Sequence, residues 1–145
     1  MRRSARITGM YAFEGRPGEP IPLVQSFVPA GFPSPADDYV EKDLDLNEYL
    51  VRHPAATFFV RVAGDSMIDA GIHHGDILIV DRSLDAEPGR VVIAVVEGEM
   101  LVKRLRRLGG RLALLSENEN YPPLELREGV DLIIWGVVTY VIHPL

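Results

Sequence analysis

From Thr57 onward the hydrophobic positions recur with a period of two, the spacing of strands that bury one face. Thr57 to Val62 places Phe58, Val60 and Val62 on one side and Phe59 and Arg61 on the other. Ile77 to Val80 is a short apolar run behind a turn at Gly75-Asp76, and Val91 to Val96 is another. Glu97-Gly98 and Gly109-Gly110 have the form of two-residue hairpin connections, which need residues that tolerate positive φ. They predict strands over Glu99–Leu105 and Arg111–Leu115, and a last strand covers Leu132–Val141. One helical signal stands apart. Asp45 is placed to cap, Glu48 completes a variant of the capping box, and Leu46, Tyr49 and Leu50 share a face before Pro54 ends the segment. The pattern predicts a mainly β fold, a folded-over sheet or barrel of five or six short strands with one short helix.

Glycine and proline concentrate in front of this pattern. Residues 1–35 hold four of the 13 Gly and six of the 11 Pro, so an irregular N-terminal arm is expected. Charge divides in the same way. Arg2, Arg3, Arg6 and Arg16 against Glu14 and Glu19 give residues 1–30 a charge of +2, while the whole chain carries -6. The remainder is therefore strongly acidic.

Composition narrows the classes. At 145 residues the chain suits one domain plus an arm, able to bury roughly 70% of its unfolded surface without a staple. The absence of cysteine excludes disulfide scaffolds, thiolate metal sites and Cys nucleophiles. The acidic balance argues against a large nucleic-acid footprint, because such a surface neutralises phosphates with Lys and Arg. No stretch approaches the ~18–20 apolar residues of a membrane span, and no apolar segment of signal-peptide type follows Arg2-Arg3.

Two residues depart from their surroundings. Ser66, in Gly64-Asp65-Ser66-Met67, follows directly on a strand and precedes a turn through Ile68-Asp69-Ala70-Gly71. Free backbone N–H groups at such a junction can bind a developing oxyanion, although most serines there are simple caps. Lys103 shares a strand face with Leu101 and Leu105. Desolvation there lowers an amine's pKa and fits it to accept a proton; the alternative is a lysine that lays its stem on the leucines and its ammonium in water. The two fit together as nucleophile and base of a Ser–Lys dyad. The histidines compete poorly: His73 and His74 are adjacent and point apart, His53 precedes Pro54, His143 is near the end, and none has metal-ligand spacing. No metal or cofactor is expected. Asp69 stands where a Ser-x-x-Lys signature needs lysine, and phosphate loops and dinucleotide fingerprints are missing. Lys103-Arg104-Leu105-Arg106-Arg107 splits its charges between two strand faces, which suits a sheet margin better than nucleic-acid readout.

Several segments in fixed order resemble the UmuD proteins of the LexA-like self-cleaving peptidases. They are residues 31–41 from Gly31, His53-Pro54-Ala55-Ala56-Thr57-Phe58-Phe59-Val60, the stretch from Gly64 to Ile72, Gly75 to Asp81, and Gly98 to Leu105. The likeness runs from about Gly31 to Val141. It implies a serine peptidase that removes its own arm, with Ser66 as nucleophile, Lys103 as general base and the backbone N–H groups of Asp65 and Ser66 as oxyanion hole. The implied cut lies between Ala30 and Gly31, dividing a 1–30 arm from a 31–145 peptidase-like domain. Ala30 stands where some UmuD proteins have Cys. Further implications are activation by a RecA filament on single-stranded DNA in the bacterial SOS response, a cytoplasmic location, and a homodimeric product. That product would serve a UmuC-like subunit of a Y-family translesion polymerase, with no sequence-specific DNA binding of its own. A repressor is not expected, because residues 1–30 cannot supply the roughly three helices of a helix-turn-helix unit. The rival reading is a non-catalytic binding module that regulates a polymerase.

Overall fold

The computed structural model describes residues 4–13, 21–24, 40–126, 129 and 131–145. Among these residues there are ten strands and one short α-helix. The chain divides into two compact units, one of residues 1–13 and 55–145 and the other of residues 14–54.

The smaller unit contains β2 (Ile21–Val24), paired antiparallel with β3 (Val40–Leu44), and α1 (Leu46–Leu50). The expected cap is present: the Asp45 carboxylate accepts from the N–H groups of Asn47 and Glu48. The expected apolar face is not buried, since Leu46 and Tyr49 are each about half exposed. Hydrogen bonding at the cap, rather than burial, thus defines where the helix begins.

The larger unit carries β1 (Arg6–Ala12), β4 (Thr57–Ala63), β5 (Ile77–Asp81), β6 (Val91–Val96), β7 (Glu99–Leu108), β8 (Arg111–Leu115), β9 (Leu124–Glu125) and β10 (Leu132–Ile142). They form one sheet in the order β1-β4-β5-β10-β6-β7-β8-β9, and β1 also pairs with β7 through Arg6 and Leu101. Six strands therefore close into a ring, in keeping with the mainly β class and the folded-over sheet expected. Both two-residue hairpins are present. Glu97 and Gly98 have φ of 49° and 79°, and Gly109 and Gly110 have 56° and 80°, the left-handed pairs such turns require.

β10 is the longest strand and serves two partners, β6 along its first half and β5 along its second. Irregularities between Ile134 and Gly136 and between Val138 and Tyr140 let it bend from one to the other. Gly136 belongs to that bend, and a Cβ there would lie 2.6 Å from Val80 Cγ1. One core cluster gathers Val60, Val62, Met67, Leu78, Ile93 and Val102, and a second gathers Val92, Ala94, Leu105, Leu114 and Val137. Because β6 and β7 contribute alternate residues to both clusters, both of their faces are covered.

Within the stretch expected to be irregular, β1 and β2 are strands. β1 earns its place through non-local pairing: six of its seven residues pair with β4, and Ala5, just before it, is fully buried. Its own burial is slight, and a register shift between Ile7 and Gly9 interrupts its alternation. The proposed cleavage position, Ala30-Gly31, lies outside the described residues.

Candidate active site

Ser66 lies three residues beyond the end of β4, in a loop pinned from several sides. Asp65 O accepts from Ile68 N–H (3.3 Å) and from Asn118 Nδ2 (3.0 Å), while Asp65 Oδ1 accepts from the Tyr121 hydroxyl (2.5 Å). Asp69 N–H donates to Glu117 O (2.8 Å). Met67 is fully buried in the first core cluster and its sulfur accepts from Glu117 N–H. Gly71, at φ 80°, ends the short 3-10 turn Ile68–Ala70. Ser66 is thus held on a loop anchored by the segment after β8, and it is 0% exposed.

Lys103 sits in the middle of β7, opposite Val92 of β6, and is only 6% exposed. Burial pushes its amine below the ordinary lysine range, and the nearby Glu99 carboxylate acts in the opposite direction. The lysine does not reach out to water, so the snorkelling alternative fails. Its Nζ donates to Ser116 Oγ at 2.7 Å, which orients the amine. The rest of the basic run behaves as a sheet margin should: Arg104 and Arg106 both face the Glu117 carboxylate.

Ala5 joins the two neighbourhoods. Its N–H donates to Ser66 Oγ at 2.7 Å, and its carbonyl accepts at 3.1 Å from the N–H of Val102, the residue before Lys103. Ser66 and Lys103 therefore belong to two strand neighbourhoods bridged by a single residue, with β1 laid between β4 and β7. Accepting from Ala5 leaves the Ser66 O–H available as a donor, as a lysine base requires. It also places the main chain at Ala5 directly against Ser66 Oγ.

The family model for Peptidase S24-like proteins matches residues 22–139, a span that contains both Ser66 and Lys103. The chain belongs to the S24 peptidase family. Protein SamA of Salmonella typhimurium is 53% identical over 122 residues, 84% of each chain. Protein MucA of Escherichia coli is 47% identical over 130 residues, 86% of this chain and 87% of its own. LexA repressor 1 of Pseudomonas syringae pv. tomato is 38% identical over 142 residues, 97% of this chain and 68% of the repressor. These relatives bear out the likeness to UmuD-like and LexA-like proteins of a serine peptidase family. β1 lies outside the residues that the S24 model matches.

Residue spacing gave no sign of Ser116, Asn118 or Tyr121. Each meets its partner 13 to 56 positions away, and only the folded sheet brings them together. No helix among the described residues is long and apolar enough to cross a membrane.

Proposed function

We propose that the chain is a self-processing serine peptidase in which Ser66 attacks the carbonyl of Ala30 and Lys103 accepts the hydroxyl proton. The observation that carries this reading is the burial of an amine with a lowered pKa on a strand joined, through Ala5, to a buried serine hydroxyl. In the attack the new bond is Ser66 Oγ to Ala30 carbonyl carbon, and the carbonyl oxygen takes up negative charge. The N–H groups of Asp65 and Ser66 serve as the donors for that charge. Lys103 then returns the proton to the Gly31 amine as the peptide bond breaks. Water, deprotonated by the same lysine, then bonds to the Ala30 carbonyl carbon; as the bond to Ser66 Oγ breaks, Lys103 gives that proton to Oγ and residues 1–30 leave with a free carboxylate. Ser116 holds Nζ in place throughout. Ala30 and Gly31 suit the step chemically, being small and free of side-chain bulk next to the attacked carbon.

Under this reading the state described here is a resting one, with Ala5 in the position beside the nucleophile. The stimulus is a RecA filament on single-stranded DNA, which raises the population of the cleavage-competent arrangement. The product, residues 31–145, acts as a homodimer that assists a UmuC-like subunit of a Y-family polymerase in the bacterial cytoplasm. Loss of the +2 segment leaves that product more acidic, which favours a protein partner over bare DNA. The test is intact mass after incubation at alkaline pH, and with RecA, nucleotide and single-stranded DNA. Release of residues 1–30, abolished in Ser66→Ala and Lys103→Ala, is the expected result. An unchanged mass under every condition favours the non-catalytic module instead, and cleavage that survives both substitutions removes the dyad.

A further inference from the structure

His73 and Asp76, in the turn that precedes β5, meet His143, which follows β10. Asp76 is 1% exposed, and both of its carboxylate oxygens face this cluster. Oδ1 lies 2.6 Å from His143 Nδ1; Oδ2 accepts from the His73 N–H at 2.7 Å and lies 3.7 Å from His73 Nδ1. The two imidazoles stack with centroids 4.4 Å apart, and one ligand atom from each of the three residues falls within 4.8 Å of the others. The main chain fixes the carboxylate in turn, since Asp76 N–H donates to His73 O and Asp76 O accepts from Val62 N–H. Both imidazoles are partly exposed, which leaves a way in from solvent.

We propose that His73, Asp76 and His143 form a binding site for one divalent transition-metal ion of the zinc type. Two imidazole nitrogens and one carboxylate oxygen are a donor set that such ions take, with a fourth position left for water. A tetrahedral ion with bonds of about 2.0–2.1 Å separates its ligand atoms by roughly 3.3 Å. The two separations run to different oxygens, 3.7 Å from His73 Nδ1 to Oδ2 and 2.6 Å from His143 Nδ1 to Oδ1, and one ligand atom from each residue lies within 4.8 Å of the others, so an imidazole must shift before one ion meets both rings and a single oxygen. His143 follows directly on β10 and is partly exposed, so it is free to make that adjustment. To ligate through Nδ1, His143 must carry its N–H on Nε2, so the ion replaces the hydrogen bond between Nδ1 and the Asp76 carboxylate. Magnesium and calcium do not suit the site, because they seek several oxygen ligands and only one carboxylate is present. The site is distinct from the proposed dyad. Its occupancy would tie the end of β10 to the turn whose Gly75 N–H donates to Val62 O in β4.

The experiment is isothermal titration of the full, chelator-treated chain with zinc chloride. One equivalent should bind, with affinity at least about tenfold lower in His73→Ala and in His143→Ala. His53→Ala and His74→Ala should match the unsubstituted chain. A second measurement needs no variant: zinc should protect His73 and His143, but not His53 or His74, from acylation by diethylpyrocarbonate, read by peptide mass. Absence of one-equivalent binding, affinity indifferent to His73 and His143, or protection of His53 and His74 instead would overturn the proposal. Because no outcome depends on self-cleavage, the site and the peptidase reading fail separately.

Discussion

Replacing Ala5 by proline should accelerate self-cleavage. Proline has no N–H, so the 2.7 Å bond to Ser66 Oγ is lost, and its Cδ would occupy the space in which that hydrogen now lies. The lost bond alone is worth about 0.5–1.5 kcal/mol net. If the start of β1 must leave before the arm can reach Ser66, that energy raises the competent population by about 2- to 12-fold. Crowding at a fully buried position adds to the effect, and the gain stops once the competent state dominates. The assay is the first-order rate at which the intact mass disappears at one fixed alkaline pH, without RecA. Ala5→Gly, which keeps the N–H, should stay near the starting rate, and circular dichroism should show an unchanged sheet for both. A rate for Ala5→Pro equal to or below that of the unsubstituted chain would refute the idea that Ala5 obstructs the nucleophile.

Other expectations follow from single contacts. Self-cleavage should climb about tenfold per pH unit until Lys103 is neutral, with the break below the ordinary lysine range; Lys103→Arg should abolish cleavage at every pH. The same depressed amine makes the unfolded chain bind more protons than the folded one between the two pKa values. Urea midpoints should therefore rise with pH across that window, and Lys103→Met should flatten the rise. Gly136→Ala forces a Cβ against Val80 and should lower stability by about 1–3 kcal/mol, seen as a lower urea midpoint. Tyr121→Phe removes the hydroxyl that restrains Asp65; it should slow self-cleavage several-fold for a stability loss of only about 1 kcal/mol, measured on the same preparation.

What was legible in the sequence follows from the range of the forces involved. β4 alternates along its length, β5, β6 and much of β10 are short apolar runs, and the hairpin turns require residues that accept positive φ. Such signals are local. Ser66 could be singled out for the same reason, because a serine a few residues past a strand end is visible locally. Lys103 could be singled out by the leucines on either side of it along the face. β1 had no such signal. Its hydrogen bonds go to residues about 50 positions away, its residues are mostly half-buried or exposed, and Gly9 falls at its bulge. The Gly- and Pro-rich composition around it suggested coil. Ser116 and Tyr121 are ordinary polar residues until the sheet sets them beside Lys103 and Asp65. His143 and Asp76 stand 67 positions apart, so no ligand spacing could disclose them.

The pairing of Arg6 with both Ala63 and Leu101 makes β1 the stave that completes the six-stranded ring. While residues 1–30 remain attached, that stave is tethered, and its effective concentration at the gap is set by the connecting chain and does not change on dilution. Scission after Ala30 would convert it into a separate peptide held only by its ladder bonds and apolar contacts. Its retention would then depend on how dilute the solution is, and its departure would leave two unpaired strand margins, one on β4 and one on β7, able to accept another extended chain. Backbone scission would thereby do more than shorten the molecule: it would turn a closed ring into one that can be refilled.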